Sequence, residues 1–513
     1  MGRPLLQPLV VGAIVICSGG MVGMVGCSGG PSRGNQLAPP AKHPPVVMLV
    51  FDEFPTTSLV SAGGGIDPAR YPNFAALSRD ATWFPYATAS LDETGRAMRS
   101  LLTGRTTWRY ARPTYAENPR NLFSLMGRTY RIDASEEATS MCPRRLCPRV
   151  RMQNGPSIRR ELASGRPERF DRWLRSLRSS ARPTLYFKQV FFPHGPWRYL
   201  PSGRQLVEGS TQRRFSWEFQ HTNRWLVNQR YQQHLLQVGF TDRLLGRALA
   251  RLKATGLYDR ALVVVTADNG ESFGRIGNGH EIRRANAGDI ALTPLFVKLP
   301  NQHQGRTERR HVRTIDLLPT IARSAHLKLN WRVEGRSIFG PSARRIPSST
   351  LLVQRSGSRL RLSAGSLRRW AAAARRLKAR LFGSGADPQG LFRIGPFPSM
   401  VETQVQRWPA LPSDGTHAVI DLAGSYRRVR LDSGSVPVKV AGRLTGRSSR
   451  RPSSVAIGVN GVIAATAPTL TPRRGGPGYF SALLPETALR QGANEVRVFA
   501  IIRSGGRLQL RRL

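Results

Sequence analysis

Asp52 and Asp268 each follow directly on an apolar run, Val46-Val-Met-Leu-Val-Phe51 in one case and Ala261-Leu-Val-Val-Val-Thr-Ala267 in the other. Glu53 comes next after the first carboxylate, and Asn269-Gly270 after the second. Runs rich in Val and Leu that stop at turn residues predict strands covered on both faces. In an open α/β sheet, ligands gather beyond the carboxyl ends of parallel strands. Two such strands running parallel bring Asp52 and Asp268 to one edge, where the carboxylates repel each other unless a cation sits between them. A carboxylate and an amide oxygen are suitable ligands for a hard divalent ion. Read alone, Asp268-Asn269-Gly270 is equally an ordinary turn. The second strand built the same way favours a site.

Positioning these groups requires an alternating chain. Strands are expected at Val46–Phe51, Tyr130–Ile132, Thr184–Phe192, Ala261–Thr266 and Pro294–Leu299. Helices are expected at Tyr71–Arg79, Thr94–Leu102, Pro167–Leu177, Asn228–Thr255 and Ile315–His326. That pattern predicts an α/β domain over 46–340 with a doubly wound, mainly parallel sheet. Residues 341–416 hold a basic helix, Leu367–Leu381, and a Gly- and Pro-containing linker at 383–390. The helix has the composition to lie on an anionic membrane, although packing on the main domain is its default. Over 417–513 short alternating segments predict a C-terminal β-sandwich: His417–Leu422, Tyr426–Leu431, Val436–Leu444, Ser454–Val459, Val462–Ala467 and Glu495–Ile502. Asn460-Gly461 marks a hairpin turn.

The chain of 513 residues carries a formal net charge of +47, almost wholly from dispersed Arg. No zinc-finger spacing, aromatic interleaving or glycine-rich RNA motif accompanies the charge, so nucleic acid ranks last among partners. Attraction to an anionic envelope lipid, glycopolymer or membrane surface ranks first. Residues 1–27 read as a secretion signal ending in a lipobox-like Met24-Val-Gly-Cys27, with Cys27 the lipidation candidate, or else as a single N-terminal membrane anchor. Residues 28–45 form a tether. Either reading places the protein at the outer face of the cytoplasmic membrane. Cys142 and Cys147 then remain as a pair, expected to form a disulfide in an oxidising compartment.

Further motifs converge on one family. Tyr71-Pro-Asn-Phe-Ala-Ala-Leu77 is followed by Asp92-Glu-Thr-Gly-Arg-Ala-Met-Arg-Ser-Leu-Leu-Thr-Gly104, then by a strand ending Phe192-Pro-His194-Gly-Pro196. The long helix around Asp242 leads into the Asp268 strand, and Thr293-Pro294 and Thr314-Ile-Asp316-Leu-Leu-Pro319 close the domain. In this order the motifs resemble the sulfatase-like branch of the alkaline phosphatase superfamily, over about 46–339.

The resemblance implies one divalent cation, Mn, Mg or Ca, bound by Asp52, Asp268 and Asn269. Thr94, seven positions before Leu101, would complete the shell as nucleophile, with Glu53 a weaker ligand. A hydroxyl gains nucleophilicity next to a metal. The helix beginning at Thr94 is expected to aim free N–H groups at anionic oxygens, and His194 to protonate or stabilise the leaving oxygen. His280, Arg96 and Arg99 are weaker substrate contacts. For Thr94 an ordinary helix N-cap is the competing role. Common sulfatases convert a Cys or Ser at the nucleophile position to formylglycine within a Pro-x-Arg pattern. Here Thr94 is followed by Gly95-Arg96-Ala97, closer to the phosphoglycerol transferases and phosphodiesterases of the superfamily. The expected activity is therefore hydrolysis or transfer of a phosphate-type ester of an envelope component. Sulfate-ester hydrolysis, or an inactive sulfatase-fold protein that binds anionic polymers, are the alternatives.

Overall fold

β1 (Val46–Asp52) is buried along its whole length, and its alternating side chains divide between two cores. Val47, Leu49 and Phe51 join one cluster, whereas Val46, Met48 and Val50 join another. A strand needs apolar residues at every position only when both sheet faces are covered. The computed structural model that shows this describes residues 42–106, 111–148, 162, 164–211, 223–273, 282–354, 356–446, 452–471 and 478–513.

The main sheet continues with β2 (Thr82–Trp83), β3 (Arg131–Ser135), β4 (Thr184–Pro193), β5 (Leu262–Ala267), β6 (Leu295–Lys298) and β7 (Arg306–Thr307). Their spatial order is β3-β4-β1-β5-β6-β2-β7. β3, β4, β1 and β5 are mutually parallel, while β6 runs antiparallel to β5. The carboxyl ends of β1, β4 and β5 therefore share an edge. This is the doubly wound, mainly parallel architecture expected from the sequence.

The helices that position the rest include α1 (Thr56–Leu59), α2 (Pro72–Asp80), α3 (Thr94–Thr103), α4 (Leu122–Met126), α5 (Arg166–Ser176), α6 (Arg224–Ala254), α7 (Leu317–Ser324) and α8 (Ala364–Phe382). α2, α5 and α6 cover one face with Phe74, Phe170, Trp173 and Leu244. α3, α4 and α7 cover the other with Met98, Leu102, Phe123 and Leu317. Asp242, from the middle of α6, caps α2 by accepting from the backbone N–H groups of Asn73 and Phe74 at 3.0 and 2.8 Å. Asp316 stands at the N-cap position of α7 but makes no side-chain hydrogen bond to that helix's N–H groups. Its carboxylate turns back to the Arg313 guanidinium and to the backbone N–H groups of Arg313 and Arg336.

α8 packs onto the main domain. Trp370 donates its indole N–H to Ala285 O at 3.0 Å, and the buried Lys378 donates to Ser58 O at 2.9 Å. Among the described residues no helix is long and apolar enough to cross a membrane.

The C-terminal region forms two mainly antiparallel layers, with Ala410–Leu411 pairing in parallel with Leu510–Arg511. One contains β8 (Ala410–Leu411), β11 (Ser454–Val459), β12 (Val462–Pro468), β14 (Val496–Ser504) and β15 (Arg507–Arg512); the other contains β9 (His417–Ile420), β10 (Lys439–Thr445) and β13 (Gly478–Leu483). Asn460 and Gly461, both at positive φ, turn β11 into β12 as expected for a primed hairpin. The strand expected over Tyr426–Leu431 is absent. Ala423–Tyr426 form a helical turn and Val429 makes only an isolated bridge to Gly492.

Candidate active site

Asp52 ends β1 at a local irregularity: the register against β4 shifts between Phe51 and Asp52, so that Asp52 faces Pro193. Bulges of this kind re-aim a side chain at a sheet edge. Glu53, next in line, sits at φ 53°, the left-handed region that non-glycine residues rarely occupy. On the neighbouring strand, Asp268 N–H still donates to Phe51 O at 3.1 Å, which holds the two strand ends together. Gly270 must lack a side chain, because a Cβ there would lie 2.0 Å from Asp289 O.

The structure brings Asp52, Asp268, Asn269 and Thr94 together, all but Thr94 fully buried. Thr94 Oγ1 donates to Asp52 Oδ1 at 3.0 Å. Asn269 Nδ2 donates to Asp92 O at 3.0 Å, leaving its amide oxygen on the other side. Asp52 Oδ2, Asp268 Oδ2 and Asn269 Oδ1 are buried and accept no hydrogen bond. Three orphaned, acceptor-only oxygens at one sheet edge are costly unless positive charge reaches them. Burial and the neighbouring Asp268 raise the demand further. Burial pushes the Asp52 carboxyl up to about 6 against the pull of the His194 cation, and burial together with the Asp52 charge pushes Asp268 well above the carboxylate range. Among the described residues no three His, Cys, Asp or Glu side chains form a metal cluster. The set here counts two carboxylates, an amide and a hydroxyl, all oxygen donors, which fits a hard divalent cation.

Thr94 is not the cap of its helix. Glu93 is, accepting from Gly95 N and Arg96 N at 3.1 and 3.2 Å. This frees the Thr94 hydroxyl for Asp52. It also overturns one expectation, because those first N–H groups of α3 are taken by Glu93 and not held open for substrate oxygens.

His194 follows β4 between two cis peptide bonds, Phe192–Pro193 and Gly195–Pro196. Its Nε2 lies 3.0 Å from Glu53 Oε1 and its Nδ1 2.5 Å from Gly195 O. Burial alone would lower its pKa, but the carboxylates of Glu53 and Asp52 outweigh burial and raise it to about 9. That direction favours an imidazolium paired with the Glu53 carboxylate. Two residues that sequence reasoning missed clamp this turn. Arg166, fully buried, donates to the carbonyls of Phe191, His194 and Pro196 at 2.9, 2.7 and 2.8 Å, with its guanidinium over the Phe192 ring. Gln237 of α6 donates to Pro193 O and His194 O and accepts from Arg198 N and Tyr199 N. Only the apolar surroundings of Gln237 in a helix hinted at its role.

Arg96 and Arg99 are buried and spend hydrogen bonds on backbone carbonyls, those of Gln354 and Ala111. They brace loops around α3. His280 and Cys27 lie outside the described residues. Cys142 and Cys147 form the expected disulfide, S–S 1.98 Å; the buried Glu136 carboxylate accepts from Met141 N and Cys142 N beside it.

Residues 168–327 match the Sulfatase family model. That segment holds His194, Asp268 and Asn269, while Asp52 and Thr94 reach them only through the fold. The multifunctional alkaline phosphatase superfamily protein PehA of Trinickia caryophylli is 32% identical over 102 residues. That match covers 19% of this chain and 19% of the relative. Similar solved structures include the phosphonate monoester hydrolase of Agrobacterium radiobacter, at TM-score 0.44 and 16% identity over 60% of this chain and 80% of that one. The phosphonate monoester hydrolase of Silicibacter pomeroyi aligns at 0.41 and 18% over 60% and 80%. A 2-O glycosaminoglycan sulfatase aligns at 0.45 and 14% over 61% and 78%.

Proposed function

We infer that this Sulfatase-domain protein is a metal-dependent hydrolase or transferase acting on a phosphate-type ester, with Thr94 as its nucleophile. The observation that carries this reading is the Thr94 Oγ1 to Asp52 Oδ1 hydrogen bond at the edge of three partnerless oxygens. Asp52, Asp268 and Asn269 are the residues that would hold the ion. A bound divalent cation supplies the positive charge that lowers a hydroxyl's pKa and draws a tetrahedral ester's oxygens inward.

The remaining work belongs to the chain. Asp52 orients the Thr94 hydroxyl and stands where its proton leaves. Thr94 attacks the ester and carries the phosphoryl group until water or an acceptor alcohol removes it. His194 brings a protonated nitrogen, which must part from Glu53 Oε1 to meet a leaving oxygen. A threonine cannot become a formylglycine by the oxidation that converts Cys or Ser, so sulfate esters rank behind phosphate esters. The net charge of +47 favours an anionic lipid or glycopolymer of the envelope as substrate. The Cys142–Cys147 bond supports an extracytoplasmic location.

The test is hydrolysis of chromogenic phosphodiester, phosphomonoester and sulfate esters with manganese or magnesium, by the wild-type chain, Thr94→Ala and Asp268→Ala. Phosphoester turnover that needs metal and disappears in both variants is expected. No cleavage of any ester, together with no ion binding by calorimetry, overturns the reading and leaves a binding protein on a sulfatase fold.

A further inference from the structure

Behind the metal loop lies a second polar site that the ester chemistry does not use. It is a pocket between α1, β2, the loop after β7, and α8, lined among others by Thr56, Trp83, Tyr86, Arg309 and Arg375. Three polar atoms on its lining residues are buried without a hydrogen-bond partner: Thr56 Oγ1, Trp83 Nε1 and Arg375 Nε. Each can donate a proton. Thr56 and Trp83 are only 3% and 4% exposed, so bulk water does not satisfy them. Among the described residues, neither the Arg309 nor the Arg375 guanidinium is ion-paired or hydrogen-bonded. Nor does the lining include a carboxylate.

The pocket thus combines three unpartnered donors with two guanidiniums, that of the exposed Arg309 at its rim and that of the half-buried Arg375, and has no carboxylate to balance them. The cavity volume is about 20 Å³. That admits one water or one ion of similar size, not a tetrahedral oxyanion. A water placed there would accept from these donors but would leave the two guanidinium charges unbalanced. A monatomic anion accepts from all of them and offsets both guanidiniums.

We propose that this pocket binds a halide-type anion, chloride under ordinary conditions, held by Thr56 Oγ1, Trp83 Nε1 and the guanidiniums of Arg309 and Arg375. The anion ties α8 to α1, the short helix that follows Asp52 and Glu53. α8 already holds α1 through Lys378, which donates to Ser58 O at 2.9 Å. Arg375 sits over the same segment, its Nη1 3.1 Å from where a Cβ on Gly64 would lie. Chloride therefore balances cations that the fold presses against the support of the metal loop.

Two measurements on the full chain test this. Crystals grown in bromide are expected to show an anomalous peak between Thr56, Trp83 and Arg375. In solution, chloride titrated against gluconate at constant ionic strength is expected to raise Tm in a saturable way, by about 1 °C per tenfold concentration above the dissociation constant. The rise should vanish in Arg375→Gln and weaken in Trp83→Phe, which keeps the ring stacked on Phe296 but lacks the N–H. If Arg375→Gln does not fold, Trp83→Phe and Thr56→Val carry the comparison. A water without anomalous signal, a rise unchanged in the variants, or a rise given by phosphate or sulfate but not by chloride, overturns the proposal.

Discussion

At the scale of the residue, the first turn of α3 divides two tasks between neighbours. Glu93 satisfies the helix end, so Thr94 can point its hydroxyl at Asp52 instead of at its own backbone. The two side chains should therefore fail differently. Glu93→Ala removes a cap worth about 1 kcal/mol, so thermal unfolding should shift down while divalent-ion binding persists. Thr94→Ala should leave the unfolding temperature nearly unchanged and lower phosphoester turnover by about 10³-fold or more. Equal loss of stability in both variants would return Thr94 to a structural role. Asp268→Asn keeps the shape of the ligand but removes its charge, and calorimetry should then show manganese binding weakened by at least about tenfold.

At the scale of the element, β4 is held in a buried ionic setting that the sequence gives little sign of. Lys188, in mid-strand and wholly buried, forms an ion pair with Glu137, which also meets Arg169 at 3.3 Å. Burial would raise the Glu137 pKa, but the charges of Lys188 and Arg169 outweigh it and hold it below 4.5. A carboxylate depressed in the folded state contributes stability that is present above pH 4.5 and is lost as pH falls through its folded value. The wild-type acid unfolding limb should therefore steepen below pH 4.5. Lys188→Met should cost about 3–5 kcal/mol at pH 7 by leaving the Glu137 charge poorly matched, and denaturant titration would measure it. At the end of the same strand, Arg166→Met removes the guanidinium donor from three carbonyls around His194, of which His194 O keeps the Gln237 donor. The expected loss is about 3 kcal/mol, with turnover falling further than ion binding because the clamp acts on the His194 turn.

At the scale of the whole molecule, the C-terminal layers share a core with the longest helix. Trp225, Tyr231 and Leu235 of α6 belong to one cluster with Val440, Val455, Ile457, Phe480 and Val498 of the sandwich. Trp225 Nε1 and Gln229 Nε2 both donate to Ser481 O, at 3.0 and 2.8 Å, and Ser435–Val436 pairs in parallel with Gln205–Leu206. Deleting 417–513 uncovers these aromatic and aliphatic side chains, each worth about 1.5–3 kcal/mol of burial. The truncated chain should aggregate or lose its cooperative unfolding transition. A soluble, folded and active truncation, shown by size-exclusion and circular dichroism, would make the sandwich an independent module.

Periodicity and turn chemistry alone determined the sheet, because buried parallel strands leave uninterrupted apolar runs and their ends leave carboxylates at a turn. Val46–Asp52 and Leu262–Ala267 were readable for that reason, as were the Asn460-Gly461 hairpin and the Cys142–Cys147 pair. What only the tertiary structure decided are contacts between residues far apart in the chain. That Glu53 turns to His194, that Arg166 and Gln237 grip the His194 turn, and that Thr56, Trp83 and Arg375 line one pocket beside α1 all depend on how strands and helices are laid side by side. Local preference has no term for that, since a buried Arg and an exposed one carry the same letter.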